Sequence, residues 1–462
     1  MPYDINETHD PKLESWVESA NDPETDFPIQ NLPWCVYFIE ESLDFEPIGG
    51  LGVRLGESVV AIEPLIEAHL LDGVRAGDVS LLDFGTLPEF QALGSTLHRT
   101  LRARLVELLT ADNTELRGNR GLRNAALLPI DQLLTLPLAP FPNYTDFYAS
   151  LHHATNVGSM FRPDNPILPN YKHIPIGYHG RASSIVPSGT PIRRPVGQQA
   201  PAEEGGTPGF GPCKLLDYEL ELGVIVGRGN ELGVPISMED VEDHIFGMCI
   251  LNDWSARDMQ KWEYQPLGPF LAKSFASTVS SYIVTMEALA PFRTPAFERA
   301  ASDPQPLPYL DSKYNRTHGG VDITVEAYLT SADMRKRSMA PVQLSKGSFK
   351  DMYWTIGQML AHHASNGCNM QPGDLLGSGT ISGPKRENRG CLLELTWDGD
   401  PMATPPIAAP GTQRTPIKLP TGEERKFLAD GDEIILKAYC ERDGFRRIGF
   451  GECRGIIEPA RR

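Results

Sequence analysis

The apolar positions along the chain fall into two textures. From about Phe27 to Asp112, short apolar runs such as Trp34-Cys35-Val36-Tyr37-Phe38-Ile39 are broken by Gly-rich turns at Gly49-Gly50. Leu97, Leu101, Leu105 and Leu108 then recur every three or four residues, with Arg99, Arg102, Arg104 and Glu107 between them, which predicts an amphipathic helix. The Leu/Pro-rich passage from Leu134 to Pro142 cannot continue a helix and reads as a packed linker. From Asp146 onward, strand-like runs are short and closely spaced: Leu222 to Val226, Tyr282 to Thr285, Ile323 to Thr330, Leu392 to Trp397 and Glu433 to Ala438. Too few helical patterns separate them for a doubly wound α/β sheet, so a mostly-β second domain with inserted helices is predicted. Pro291 to Gly320 reads as a Pro-rich surface arm. The first ~25 residues read as an acidic lead-in, ordered only in part.

Length and charge narrow the classes. A chain of 462 residues has room for two or three domains. No apolar run approaches ~18 residues, and the polar, acidic start lacks the basic and apolar segments of a signal peptide, so neither a membrane span nor secretion is expected. A net charge of -18 argues against nucleic acid and anionic membranes as partners. The seven cysteines show no C-x-x-C pair, which points to scattered reduced thiols in a cytoplasmic protein.

Several polar clusters invite chemistry. Asp146 to Gly158 packs a carboxylate, a phenol and imidazoles into a stretch without regular apolar period. In Asp217-Tyr218-Glu219-Leu220-Glu221, strand alternation places Glu219 and Glu221 on one face, where a cation would relieve their repulsion. A solvated edge strand fits the same spacing. Asp253 ends an apolar run and could cap a short helix over Trp254 to Tyr264. On that helix Arg257, Gln260 and Tyr264 share a face suited to reading an anion, or to facing solvent. Lys273 lies in an apolar stretch, either buried with a carboxylate or snorkelling to the surface. Gly377 to Gly383 is a poor phosphate loop, because Pro384 follows and no helix opens; a turn letting backbone approach a ligand fits better. His362 and His363, on a helix-like run from Met352 to Ala364, have no acidic partner at zinc-site spacing.

Four long, ordered motifs carry a resemblance: Asp146-Phe147-Tyr148 with His153 to Gly158, Gly177 to Ser184, Asn252 to Asp258, and Gly377 to Gly383. Together with Asp26 to Pro33, they resemble the fumarylacetoacetase family over nearly the whole chain. The resemblance implies a mostly β (α+β) fold, with a small SH3-like domain over residues 1–122 and a metal-dependent catalytic domain over 123–462. It implies a homodimer, and hydrolysis of a carbon–carbon bond in a small diketo acid, 4-fumarylacetoacetate, the last step of tyrosine and phenylalanine breakdown. Acylpyruvate hydrolysis, 2-keto acid decarboxylation and a catalytically dead binding protein are the rival readings. The implied Mg²⁺ or Ca²⁺ would be held by Asp146, Glu219, Glu221 and Asp253, all hard oxygen donors, with Lys273 and Ser277 beside it; the family carries threonine where Ser277 stands. Substrate contacts would fall to Tyr148, Arg162, Tyr178, Gln260, Tyr264 and Thr380. His153 would be the general base, oriented by Glu394, with Arg257, Gln260 and Lys273 serving the oxyanion. His152 should project elsewhere.

Overall fold

The computed structural model describes residues 3–40, 48–76, 79–80, 86–201, 203 and 205–461, the last two of the third segment as backbone alone. Three sheets dominate a mostly β molecule. The first is five-stranded and antiparallel, in the order Leu127–Pro129, Ser58–Ala61, Gly49–Leu55, Trp34–Ile39, Leu133–Leu136. The predicted amphipathic helix is Ser95–Leu109, and it buries Leu97, Leu101, Leu105 and Leu108 against this unit.

Three expectations from the sequence are corrected, and a fourth, the Pro-rich arm, gains detail. Part of the supposed linker, Leu133–Leu136, is a strand paired with Trp34–Ile39; its leucines were too few to show the period of two. Two strands of the first sheet therefore lie beyond residue 122, and we place the division between the units after Leu136. The lead-in is packed rather than loose: Tyr3 donates to the carbonyls of Glu242 and Ile245, and Thr8, His9, Ser15, Val17 and Ala20 are buried. Its polar residues conceal this because they hydrogen-bond inward. The Pro-rich arm is stapled at its base, where Arg293–Thr294 pairs with Gly320–Val321, and it carries the helix Lys313–His318.

The central sheet runs in the order Ile185–Pro187, Ser277–Val279, Ile245–Asp253, Leu220–Val226, Leu375–Gly377, Tyr144–Phe147, Gly177–His179. Both faces are covered. Leu220, Leu222, Val224, Met248 and Ile250 face the core shared with a second five-stranded sheet, which includes Thr324–Thr330, Glu433–Cys440 and Ile448–Glu458. The alternate residues Ile225, Cys249 and Leu251 face the N-terminal unit instead. This second face changes character toward one end of the sheet. Two residues beyond Leu251 stands Asp253, and two and four residues before Gly223 stand Glu221 and Glu219. An apolar face thus turns acidic where the strands end.

Two further readings are revised near that end. Asp253 closes its strand and caps nothing: the helix is Arg257–Glu263, with Ala256 in the capping position and no side-chain cap. The run Leu392 to Trp397 is not a strand. Leu392–Leu395 is a single helical turn, because the N–H groups of Leu392 and Leu393 are taken by the buried Asp217 carboxylate at 2.8 and 2.9 Å.

Candidate active site

Register brings the acidic residues together. Asp253 pairs with Ser277 across one strand edge, Asp146 with Tyr178 across another, and Asp146 with Gly377 between them. Asp146, Glu219, Glu221 and Asp253, all buried, each offer a carboxylate oxygen within 4.8 Å of the others. Gly377 is what permits this approach: a Cβ there would stand 2.5 Å from Asp146 Oδ1 and 3.0 Å from Glu221 Oε2. At Gly379, φ is +76°, and its N–H donates to Glu221 Oε2 at 3.1 Å. The glycine-rich segment therefore works as a close backbone approach to carboxylates.

The cluster is partly neutralised and partly bare. Lys273 Nζ donates to Glu219 Oε2 and Asp253 Oδ2, both at 2.5 Å. Arg257 reaches Glu219 Oε1 at 2.8 Å and Asp217 Oδ2 at 2.9 Å. The Tyr178 hydroxyl donates to Asp253 Oδ2 at 2.7 Å and is 3.1 Å from Asp146 Oδ2; Ser277 Oγ donates to Asp253 Oδ1 at 3.1 Å. Asp146 Oδ1 and Glu221 Oε1 are buried and meet no donor. Burial, then the neighbouring Asp253 charge, pushes the Asp146 carboxyl well above the usual range; burial and Asp146 do the same to Glu221. Glu219 moves the other way, because Lys273 and Arg257 outweigh its burial. Buried orphan carboxylate oxygens are expensive to leave unpartnered, and an all-oxygen set fits a hard divalent cation, so these residues could hold one.

In the second cluster both oxygens of the central carboxylate have donors. Ser150 caps the helix Leu151–Phe161, accepting from the His153 N–H at 3.1 Å, and so fixes where His153 leaves the helix. His153 Nδ1 is 2.6 Å from Glu394 Oε2. Glu394 also accepts from Asn156 Nδ2 and Ser382 Oγ, both at 2.8 Å, and from Cys391 Sγ at 3.2 Å. Burial alone would raise the Glu394 carboxyl, but His153 and these donors bring it down to about 2. An ionised Glu394 takes the proton-bearing face of a neutral imidazole at Nδ1, which leaves the Nε2 lone pair free.

A cavity of about 580 Å³ joins the two clusters. Asp146, Glu219, His153, Arg257 and Lys273 line it, as do Tyr148, Arg162, Tyr178, Gln260, Tyr264 and Thr380. Glu221, Asp253, Ser277 and Glu394 stand behind that wall, and His152 is not on it. The His152 ring packs against Phe297 instead. Residues that sequence reasoning missed are Asp217, Asn156, Ser382 and Cys391. Asn156 stands at i+3 from His153, so helical spacing could have found it; the other three are brought in by the fold alone.

A family model for the fumarylacetoacetate (FAA) hydrolase C-terminal region matches residues 143–457, and one for the fumarylacetoacetase N-terminal region matches residues 30–137. The chain belongs to the fumarylacetoacetase family. Among proteins named fumarylacetoacetase, that of Dictyostelium discoideum is 45% identical over 450 residues, covering 97% of this chain and 98% of its own. That of Homo sapiens is 46% identical over 451 residues, covering 96% and 99%. The Oryza sativa protein is 44% identical over 451 residues, covering 97% and 98%. The two family models meet between residues 137 and 143, where the first sheet gives way to Tyr144–Phe147 of the central sheet. Both clusters of this fumarylacetoacetase family member lie wholly within the C-terminal match.

Proposed function

We propose that this protein hydrolyses fumarylacetoacetate to fumarate and acetoacetate. The observation that carries the reading is one cavity met by a four-carboxylate cluster, through Asp146 and Glu219, and by an imidazole–carboxylate pair, through His153, in a chain with full-length relatives of that name. The cavity volume suits a small diketo acid.

His153 Nε2 takes a proton from a water, and the hydroxide adds to a ketone carbon of the substrate. Glu394 keeps the proton of neutral His153 on Nδ1 and stabilises the imidazolium that forms. Cleavage of the adjacent carbon–carbon bond leaves the attacked carbon as a carboxylic acid and releases the other fragment as an enolate, whose carbon is protonated by the proton that His153 took from water. Lys273 has three donors and spends two on Glu219 and Asp253, leaving one for a developing oxyanion, with Gln260 and Arg257 beside it. Tyr148, Arg162, Tyr178, Tyr264 and Thr380 shape the substrate cavity, and Arg162 supplies a cation for a carboxylate. Thr380 Oγ1 is buried without a partner, an open hydrogen bond for the ligand. Asp146, Glu219, Glu221 and Asp253 would hold Mg²⁺ or Ca²⁺, with Ser277 steadying Asp253 through a hydrogen bond. When bound, the cation supplies Lewis acidity toward the diketone oxygens.

Among the described residues no helix is long and apolar enough to cross a membrane. All seven cysteines are free thiols, six of them buried, which supports a cytoplasmic protein. A homodimer is supported by the apolar side chains exposed around Arg257–Glu263, among them Phe210, Trp262, Leu267 and Phe270. Mixing protein with the diketo acid should bleach its ultraviolet absorbance and yield the two acids. Tight binding without bleaching would identify a binding protein, and turnover of an acylpyruvate alone would identify another reaction of the scaffold.

A further inference from the structure

We infer that Asp217 is a positioning residue that fastens the general-base pair to the carboxylate cluster, so that the imidazole side and the cation side of the cavity are held in one register by a single buried carboxylate. This rests on the function proposed above. Asp217 touches neither the cavity nor the base, and it stands fully buried. Its two oxygens are spent in two directions. Toward one side, Oδ1 accepts from the Leu392 N–H at 2.8 Å and Oδ2 from the Leu393 N–H at 2.9 Å. These are the first N–H groups of the one-turn helix Leu392–Leu395, which carries Glu394 and ends one residue after it. A single turn has no stability of its own, so these two hydrogen bonds define where Glu394 stands. Toward the other side, Oδ2 accepts from Arg257 Nε at 2.9 Å. Arg257 gives its Nη1 to Glu219 Oε1 at 2.8 Å, and Glu219 shares Lys273 with Asp253.

The result is an unbroken chain of short contacts. It runs from His153 through Glu394, its helical turn and Asp217 to Arg257 and Glu219. Each link is buried, where charge-assisted hydrogen bonds are strong and poorly replaced by water. A planar guanidinium held on two carboxylates has little freedom to follow one without the other. Ser382 adds a parallel tie on the base side alone: its Oγ donates to Glu394 while its carbonyl accepts from Ser150, the residue capping the helix of His153. Asp217 reaches across to the acidic side as well, through Arg257.

Asp217→Asn replaces one acceptor by an NH₂ group that must face either a backbone N–H or the guanidinium. We expect kcat at saturating cation and substrate to fall by about tenfold or more, since a small misplacement of the base is enough. The Kd for Mg²⁺ or Ca²⁺, measured by calorimetry on EDTA-treated protein, should rise by about tenfold, as loss of a ligand's support usually gives. The distinguishing readout is a double-mutant cycle. If Asp217 acts through Glu394, Asp217→Asn added to Glu394→Gln should lower kcat little further. A variant that loses only thermal stability, with kcat and Kd within about twofold of wild type per folded molecule, would overturn the inference, as would kcat losses that multiply. Should Asp217→Asn not fold, Asp217→Glu asks the same with the charge kept: its kcat loss should also fail to multiply with Glu394→Gln, and full multiplication would overturn the coupling. The underlying reading fails separately, if wild type binds no cation or Glu394→Gln turns over at the wild-type rate.

Discussion

The two clusters on the cavity wall are opposite in their hydrogen-bonding state. Around Glu394 four donors converge on one carboxylate, and its charge is fully met by the protein. Around Asp146 and Glu221 the protein stops short, leaving one buried oxygen on each without a donor, although Lys273, Arg257, Tyr178 and Ser277 serve their neighbours. Buried polar groups are ordinarily satisfied, so the difference separates a finished device from a receptor. The His153–Glu394 pair is set before any ligand arrives. The acidic cluster could hold a positive charge beyond those of Lys273 and Arg257.

If that contrast holds, the largest effect comes from withholding the cation. Exhaustive EDTA treatment should abolish turnover, and Mg²⁺ or Ca²⁺ should restore it; full activity in verified metal-free protein would erase the distinction. Asp253→Ala should raise the cation Kd, read by calorimetry, because it removes a ligand and also frees Lys273 and Tyr178 from their shared acceptor. The complementary cut is His153→Ala. It should lower kcat by ~10²–10⁴-fold while cation content stays at the wild-type level, since the imidazole belongs to the satisfied cluster. His152→Ala, off the cavity wall, should leave kcat close to wild type; the reverse result would require the base to be reassigned.

Much of the acidic side was legible because it obeys a period. Glu219 and Glu221 share a face by strand alternation, and the glycines after Leu376 mark a close backbone approach. The base side was not legible from spacing. His153 and Glu394 lie 241 positions apart, and only the family resemblance joined them before the fold did. The run around Glu394 also reads as a strand in sequence, since so short a run carries no period that separates strand from helical turn. What decided it was Asp217, far away in sequence, accepting the two N–H groups that start the turn. A buried carboxylate that works on backbone, as Asp217 does, leaves no mark in side-chain pattern.

A smaller perturbation tests whether the acidic side is shaped by its glycine. Gly377→Ala would drive a methyl group against Asp146 Oδ1 and Glu221 Oε2. Strand geometry tolerates alanine, so the burden falls on the two carboxylates and on Leu251 Cδ2, 3.0 Å away. Cation Kd should rise by about tenfold, the usual result of displacing ligands through their surroundings. At saturating cation, kcat should recover most of its value, because nothing about His153 has moved. A fall in kcat that saturating cation does not repair would mean the two clusters are less separable than their hydrogen bonds indicate.

The smallest effect concerns stability, and here the two clusters should differ in sign. Glu394 has a folded pKa of about 2 against an ordinary 4.5, so its charge favours the folded state. A depressed carboxyl contributes its stability above the unfolded pKa and loses it as pH falls toward the folded one. That contribution is present at pH 7 and should fade as pH falls from 4.5 toward 2. Glu394→Gln should accordingly lower the urea midpoint at pH 7, and the gap from wild type should close in acid. Glu221 is shifted upward by burial and by Asp146, so in cation-free protein its charge opposes folding at neutral pH. Glu221→Gln should then raise the urea midpoint of EDTA-treated protein at pH 7, and lower it once saturating cation is added, because the ion's stabilisation depends on that ligand. Two glutamates, both buried and both replaced by the same amide, should move the cation-free midpoint in opposite directions. Equal and like-signed shifts would show that the acidic cluster finds its countercharge within the protein.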